Sequence, residues 1–298
     1  MILVSPEVRA ALEGGLPVVA LESTVLAHGL PRPRNLEVGL SLEADVRAGG
    51  ATPATVGVVG GAPKVGLSGA EVERMATADG VLKLSTRDLP VAVARGADGA
   101  TTVAATMWLA GEAGVKVFAT GGIGGVHRGD GSDVSADLTE LGRTPMVVVC
   151  AGAKAILDLP ATREALETAG VLVAGWRTSE FPAFYSAESG LPVDVRVDSP
   201  EEVAAIWRAH RALGAPGALL LCVPPPAESA LDAAEVNASI LRALAHAQEE
   251  GVRGKEVTPF LLRAVAKETG GGSLEANVAL LRSNARVAAE VASALAAG

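Results

Sequence analysis

The stretch V-K-V-F-A-T-G-G-I-G-G-V-H-R-G-D-G-S-D-V-S-A-D-L, residues 115–138, together with M-V-V-V-C-A-G-A-K-A-I, residues 146–156, decides the fold. Each segment opens on a short apolar run, 115–119 with Lys116 as its one polar residue and 146–150 without a break, that runs into a small-residue turn. Such runs read as strands buried on both faces, the pattern of a parallel sheet. In an open α/β sheet, ligands bind beyond the carboxyl ends of the strands, so the residues delivered there are site candidates. The first strand delivers Thr120, the paired glycines Gly121-Gly122 and Gly124-Gly125, then His127, Arg128 and the carboxylates Asp130, Asp133 and Asp137. The second delivers Lys154, expected at the start of the next helix.

The same alternation extends in both directions. Upstream, the pattern predicts a helix over 5–13 capped by Ser5 with Pro6 at its first position, and a strand over 17–21 ending in Glu22-Ser23-Thr24. It continues with a helix over 35–48 burying Leu36, Leu40 and Ala44, and a strand over 54–59 that stops at Gly60-Gly61. Ser68 and Glu71 form a capping-box signature for a helix to Thr77, a strand over 81–85 carries Lys83, and a small-residue helix covers 101–113. Downstream come a helix over 160–169, a strand over 171–175, a mixed stretch over 178–197, a helix over 200–213 and a strand over 218–223. Alternating strands and helices of this kind predict a three-layer α/β/α fold with a largely parallel central sheet. Pro224-Pro225-Pro226 interrupts the pattern, and from about residue 227 three helices, over 232–250, 259–268 and 273–297, form a helical C-terminal section. Residues 1–298 read as one domain, with no internal repeat.

Composition excludes several classes. With 49% hydrophobic residues and a mean hydropathy of +0.35, the 298 residues can bury a large core. A net charge of −9 argues against a nucleic-acid surface, which needs a clustered basic face. The N-terminus, M-I-L-V-S-P-E-V, has neither a basic segment nor a long apolar one, and no apolar run reaches membrane-spanning length, so no membrane partner and a cytoplasmic location are expected. The two cysteines, Cys150 and Cys222, lie in or at the end of apolar runs, as buried reduced thiols do. Thirty-five glycines and seventeen prolines with 3% aromatics describe tight turns around a core of Ala, Val and Leu.

Several residues have types suited to chemistry. A lysine desolvated at a helix N-terminus loses affinity for its proton and becomes a nucleophile near neutral pH, the reading for Lys154; a lysine snorkelling from a surface helix is the alternative. Glu22, partly buried at a strand end, can act as an acid or base, or can cap the turn by accepting from Ser23 and Thr24 amides. Asp133, Ser135 and Asp137 alternate, so an extended segment turns them to one side, where carboxylates and water hold a hard divalent cation; a helix cap at Ser135 or Asp137 is the competing reading. Thr120-Gly121-Gly122 can offer backbone N–H groups to a phosphate. His127 and His28 sit in glycine-containing loops, where polar residues often carry function, whereas His210 and His246 sit in charged helices and are expected to be solvated. There is no G-x-x-x-x-G-K-[ST] and no G-x-S-x-G, and the glycine turn does not match G-x-G-x-x-G in its strand–turn–helix setting.

In chain order, A-L-E-S-T with H-G-x-P-x-P, A-x-P-A-T-V, V-G-L-S, S-x-R-D-L-P, G-A-T-T-V-A-x-T-M, V-F-A-T-G-G-I-G-G-V-H-R-G, D-V-S-A-D-L, V-V-C-A-G-A-K-x-I-L-D, G-K-E-x-T-P-F-L-L and S-L-x-x-N span nearly the whole sequence. Together they resemble the pseudouridine-5'-phosphate glycosidase family. The resemblance implies an α/β/α homotrimer that uses a divalent metal, typically Mn²⁺, and reversibly cleaves the C–C glycosidic bond of pseudouridine 5'-phosphate to uracil and ribose 5-phosphate. It implies that Lys154 is the nucleophile at C1', Glu22 the proton donor and Asp133 the metal ligand. Ser135, Ala136, Asp137, Lys83 and Val103 match substrate contacts, and Asn277 and His127 line the same pocket. Another Schiff-base phosphosugar lyase or aldolase would also place a lysine beside carboxylates, and a non-catalytic phosphosugar-binding protein would keep the glycine loops while tolerating loss of Lys154 and Glu22.

Overall fold

The computed structural model describes residues 1–129, 131–252 and 257–298, without the side chains of Gln248, Thr258 and Pro259. Asp130 and residues 254–256 of the G-K-E-x-T-P-F-L-L motif therefore lie outside the described residues. The chain opens with β1 (Leu3–Val4), α1 (Pro6–Glu13), β2 (Val18–Leu21) and one turn of π-helix over Val25–Gly29. It continues through α2 (Arg34–Ala48), β3 (Thr52–Val59), β4 (Ala62–Val65), α3 (Gly69–Thr77), β5 (Leu82–Leu84), α4 (Leu89–Ala94), β6 (Gly99–Thr101), α5 (Val103–Glu112) and β7 (Val117–Ala119). The second half comprises α6 (Ala136–Leu141), β8 (Val147–Cys150), α7 (Leu159–Thr168), β9 (Leu172–Trp176), β10 (Val195–Val197), α8 (Pro200–Ala212), β11 (Leu219–Cys222), α9 (Ala233–Glu249), α10 (Val257–Glu268) and α11 (Gly272–Ala296).

The strands lie in the order β1-β4-β3-β2-β7-β8-β11-β9-β10, with β6 pairing to β3 and β5 to β6. From β3 through β10 along this path every pair is parallel, and β4 and β6 run antiparallel to β3. The continuous apolar runs explain the parallel core: Val18–Leu21, Val117–Ala119, Val147–Cys150 and Leu219–Cys222 are buried at every position. Two series of mutually packed helices flank the sheet, α2, α11 and α8 in one and α5, α6 and α7 in the other. The α/β/α expectation holds. β2 leads to β3 on one side and β7 leads to β8 on the other, so the winding reverses between β2 and β7, which are paired from Val19↔Val117 to Leu21↔Ala119. A crevice opens at such a reversal, and it lies beyond Leu21 and Ala119.

Some elements escaped the sequence pattern. β1 and β6 are too short to show a period, and Pro63 and Lys64 mask β4, which folds back on β3 through Gly60 and Gly61 at φ 56° and 78°. The expected face of α2 needs correction. Its buried residues are Asn35, Val38, Gly39, Leu42, Asp45 and Val46, whereas Leu40 is 46% exposed. The pattern misled because two polar side chains belong to the buried face. Asn35 donates to the carbonyls of Leu26 (2.6 Å) and Ala76 (2.8 Å), and Asp45 accepts from Arg282 and Arg286 on α11. Cys150 and Cys222 are free, buried and opposite one another on β8 and β11, and burial pushes the Cys222 thiol well above its usual range.

Candidate active site

Beyond the reversal point lies a cavity of about 540 Å³, a volume typical of a small-molecule site. It brings together Glu22, Lys83, Val103, His127, Asp133, Ser135, Ala136, Asp137, Lys154 and Asn277, which the sequence scatters over most of the chain.

β2 ends in Glu22. The next two residues anchor the strand end: the Ser23 hydroxyl donates to the Val56 carbonyl (2.6 Å) and accepts from the Thr101 amide (2.9 Å), and Thr24 donates to the Thr101 carbonyl (2.7 Å). Glu22 itself turns to β7, where the Thr120 hydroxyl donates to its Oε1 at 2.5 Å. The turn-cap alternative for Glu22 is thus replaced by a contact across the reversal point. Burial pushes the Glu22 carboxyl above its ordinary 4.5, and the nearby Asp137 charge adds to this; Lys154, the Thr120 hydrogen bond and Lys83 oppose it.

Thr120 does not act as expected. Its N–H is taken by the Val149 carbonyl at 3.0 Å in the continuation of the β7–β8 ladder, so it has no N–H to offer a phosphate. The residue is buried behind Glu22, and its own carbonyl accepts from Asn284 on α11 at 2.8 Å. Gly121 and Gly122 do line the cavity.

Lys154 enters from β8, within the loop 151–158. The expected helix start at Lys154 is absent: α7 begins at Leu159, capped by Asp158, which accepts from the Ala161 amide at 3.0 Å. The helix-dipole argument for this lysine therefore falls. Its backbone N–H donates to the Ile123 carbonyl (3.1 Å), pinning the loop against the glycine turn. Gly152, at φ 80°, lets the loop pass under residues 181–184, since a Cβ there would sit 2.3 Å from the Pro182 carbonyl.

The 120–137 loop folds as a cap and a rim. The extended alternation of Asp133, Ser135 and Asp137 does not form, because Ser135 is the N-cap of α6 and accepts from the Asp137 amide. Asp137 is buried and its two oxygens accept from the Ala104 amide (2.9 Å) on α5 and the Gly124 amide (2.8 Å). It thereby fixes the N-termini of α5 and α6 beside the glycine turn, with Val103 and Ala136 at their first positions. Asp133 is exposed at the cavity rim, and its carbonyl accepts the His127 amide at 2.9 Å. Burial holds the His127 imidazole below its usual 6.5 and the charges of Lys154 and Lys83 add to this, against the pull of Asp133, so a neutral ring faces the cavity at pH 7.

Among the described residues, no group of three or more His, Cys, Asp and Glu side chains is placed to hold a metal. A hard divalent cation that keeps most of its water and uses substrate oxygens needs only one or two carboxylates, and Asp133 with its exposed carboxylate fits that role.

The structure adds residues the sequence reading did not single out: Thr24, Ser85, Arg87, Thr102, Phe184 and Leu262 all line the cavity. Ser85 and Arg87 follow the strand that carries Lys83, a position from which they could have been anticipated. Phe184, held at φ 65° in a stretch without periodicity, gave no signal. His28 lines the cavity from the π-turn. His210 is not simply solvated; its Nε2 lies 2.8 Å from the Gly217 carbonyl and its ring stacks on Trp207.

The fold and site together define an α/β enzyme-like protein whose lysine, glutamate and helix N-termini meet at the reversal point of a parallel sheet. The chain belongs to the indigoidine synthase A like protein family, whose model matches residues 7–294. It is 64% identical to a pseudouridine-5'-phosphate glycosidase of Roseiflexus sp., over 99% of this chain and 96% of that one. It is 60% identical to a protein of the same name from Herpetosiphon aurantiacus, over 99% and 98% of the two chains. Among solved structures, the prealnumycin C-glycosynthase AlnA in complex with ribulose 5-phosphate superposes with a TM-score of 0.92 at 44% identity, covering 100% of this chain and 97% of that one. An indigoidine synthase A (IdgA)-like protein from Thermotoga maritima gives 0.91 at 38% identity, covering 99% and 97%.

Proposed function

We propose that this protein is a pseudouridine-5'-phosphate glycosidase, which reversibly converts pseudouridine 5'-phosphate and water to uracil and ribose 5-phosphate. The observation that carries the reading is the meeting of Glu22 and Lys154, from the ends of β2 and β8, in one cavity flanked by the N-terminus of α5. The 52–64% identical relatives bearing that name support it.

The bond to be broken joins C1' of ribose to C5 of uracil, so the leaving atom is carbon. Glu22, kept protonated to higher pH by its surroundings, donates its proton to the ring oxygen as the Lys154 amine attacks C1'. The proton that the attacking nitrogen sheds passes to C5 of uracil; the nitrogen lone pair then breaks the C1'–C5 bond, whose electrons restore the C5–C6 double bond of the departing base. The imine left between Lys154 and the sugar is hydrolysed by one water to ribose 5-phosphate and free lysine. The phosphate is held by Lys83, by the N-terminus of α5 at Val103 and by Ser135 and Ala136; Asn277 and the neutral His127 contact the rest of the substrate. Asp137 acts through the amides it fixes. A Mn²⁺ or similar cation, held by Asp133 and water, would supply charge stabilisation to substrate oxygens.

Homotrimeric assembly and a cytoplasmic location go with this reading through the family resemblance; light scattering at about three times the 29.9 kDa chain mass tests the former. No helix among the described residues is long and apolar enough to cross a membrane. The test of function is direct. Incubated with uracil, ribose 5-phosphate and Mn²⁺, the protein forms pseudouridine 5'-phosphate, and borohydride with ribose 5-phosphate adds the sugar mass at Lys154. Folded protein that makes no product, or a Lys154→Ala variant with full activity, rules the mechanism out.

A further inference from the structure

His127, whose backbone bridges to Leu157, and its chain neighbour Arg128 send their side chains to two different cavities. His127 lines the cavity described above. Arg128 lines a separate cavity of about 550 Å³ on the far side of the Lys154 loop, walled by Asp158, Ala183, Val236 and Ile240. The proposed chemistry uses the first residue and gives the second no task.

The loop 151–158 contains no helix or strand, yet it must present Lys154 to C1'. Backbone bonds fix its stem: Ala151 donates to the Gly121 carbonyl (2.9 Å), Lys154 to Ile123 (3.1 Å) and Asp158 to Val126 (2.9 Å). The carbonyls of Ala155 and Leu157, two buried residues immediately after the lysine, are met from the other side. Arg128 Nη2 donates to the Ala155 carbonyl at 3.2 Å and Nε to the Leu157 carbonyl at 3.1 Å. Its remaining nitrogen, Nη1, donates to Asn237 Oδ1 on α9 at 2.9 Å.

We infer that Arg128 is a positioning residue for Lys154: its guanidinium sets the turn that follows the nucleophile and fastens that turn to α9. The inference rests on the reading of Lys154 as the nucleophile. A rigid planar fork suits three acceptors in different directions, two of them carbonyls two residues apart in one turn. The single ammonium of a lysine cannot reach all three. Reaction rates are sensitive to such placement, since a shift of about 1 Å in the attacking group costs about 100-fold.

The test compares full-length wild type with Arg128→Lys, Arg128→Ala and Asn237→Ala, in steady-state synthesis from uracil and ribose 5-phosphate and in amide hydrogen exchange. Both Arg128 variants are expected to lose kcat by about 100-fold while KM for ribose 5-phosphate changes by no more than about threefold, because the phosphate contacts lie elsewhere. Exchange should quicken about tenfold or more at Lys154 and Leu157 while β8 stays protected, and Asn237→Ala should lose less activity. Wild-type kcat in Arg128→Lys overturns the inference, as does unchanged exchange within the loop. If Arg128→Ala fails to fold, Arg128→Lys carries the comparison. If the wild type neither makes product nor traps the sugar, the proposed reaction has failed, and the exchange data still decide whether Arg128 holds the loop.

Discussion

At the scale of single residues, the site depends on a carboxyl whose proton is retained by its surroundings. In its proposed role of acid, Glu22 acts only while protonated, so activity should fall as pH rises through its folded-state pKa, which burial has raised above 4.5. The Thr120 hydroxyl stabilises the charged form by donating to it. Thr120→Val should therefore move the alkaline limb of kcat/KM to higher pH; a limb that stays or moves down removes Glu22 from the role of acid. The same group has a consequence for stability. A carboxyl with a raised folded-state pKa favours the folded state at low pH, and that contribution is lost as pH rises through the raised value. Glu22→Gln should thus melt at a higher temperature than wild type at pH 8, with the gain shrinking toward pH 4.5, while kcat drops by about 100-fold or more. Equal melting temperatures across that range would show that the Glu22 charge carries no strain in the fold. Glu22 and Lys154 were legible in the sequence because strand ends in α/β sheets advertise what they deliver. The task of Thr120 was not, because a side chain that reaches a residue 98 positions away leaves no local trace.

At the scale of elements, the end of the site to which we assign the phosphate is built from two helix starts locked to a glycine turn. Gly124 is the contact point, since a Cβ placed on it would lie 2.2 Å from Ser135 Oγ and 2.8 Å from Asp137 Oδ2. Gly124→Ala should push the α6 cap away from the turn, destabilise the fold by about 1–3 kcal/mol and raise KM for ribose 5-phosphate more than it lowers kcat. An unchanged KM would mean that this loop does not hold the phosphate. The strands and most helices were readable from periodicity and caps, as at Ser5 and Ser68, because those signals are local. The loop conformations were not. Alternating Asp133, Ser135 and Asp137 look extended until the serine takes its capping role, and A-G-A-K looks like a helix entry until Gly152 adopts φ 80° and delays the helix to Leu159. In both places tertiary hydrogen bonds, to Ala104 and Gly124 in one and to Ile123 in the other, outweigh the local pattern.

At the scale of the whole molecule, the C-terminal helices are part of the sheet's packing. α11 lies against β2, β7 and β8 and against α2 and α8, and its Leu280, Ala285, Ala288 and Val291 are fully enclosed. The existence of this helix was legible from its periodicity but its docking was not, because polar residues of α2 meet it. Asp45 is the main one. Enclosed to 10% side-chain exposure, it accepts two bonds from Arg282, at 2.7 and 3.1 Å, and two from Arg286, both at 3.1 Å. Burial alone would raise its pKa, but the hydrogen bonds and charges of the two arginines outweigh this and hold the carboxyl below its ordinary 3.8. A depressed carboxyl adds stability that is present above the unfolded value and lost as pH falls through the folded one. Asp45→Asn should therefore cost about 1–2 kcal/mol at pH 7, a modest figure because the arginines are about half exposed. The wild-type advantage in urea midpoint should shrink below pH 3.8 and vanish once Asp45 is protonated in the folded state. If the two proteins differ by the same amount at pH 7 and in acid, the charge of Asp45 is not what joins α2 to α11, and shape alone holds the last helix in place.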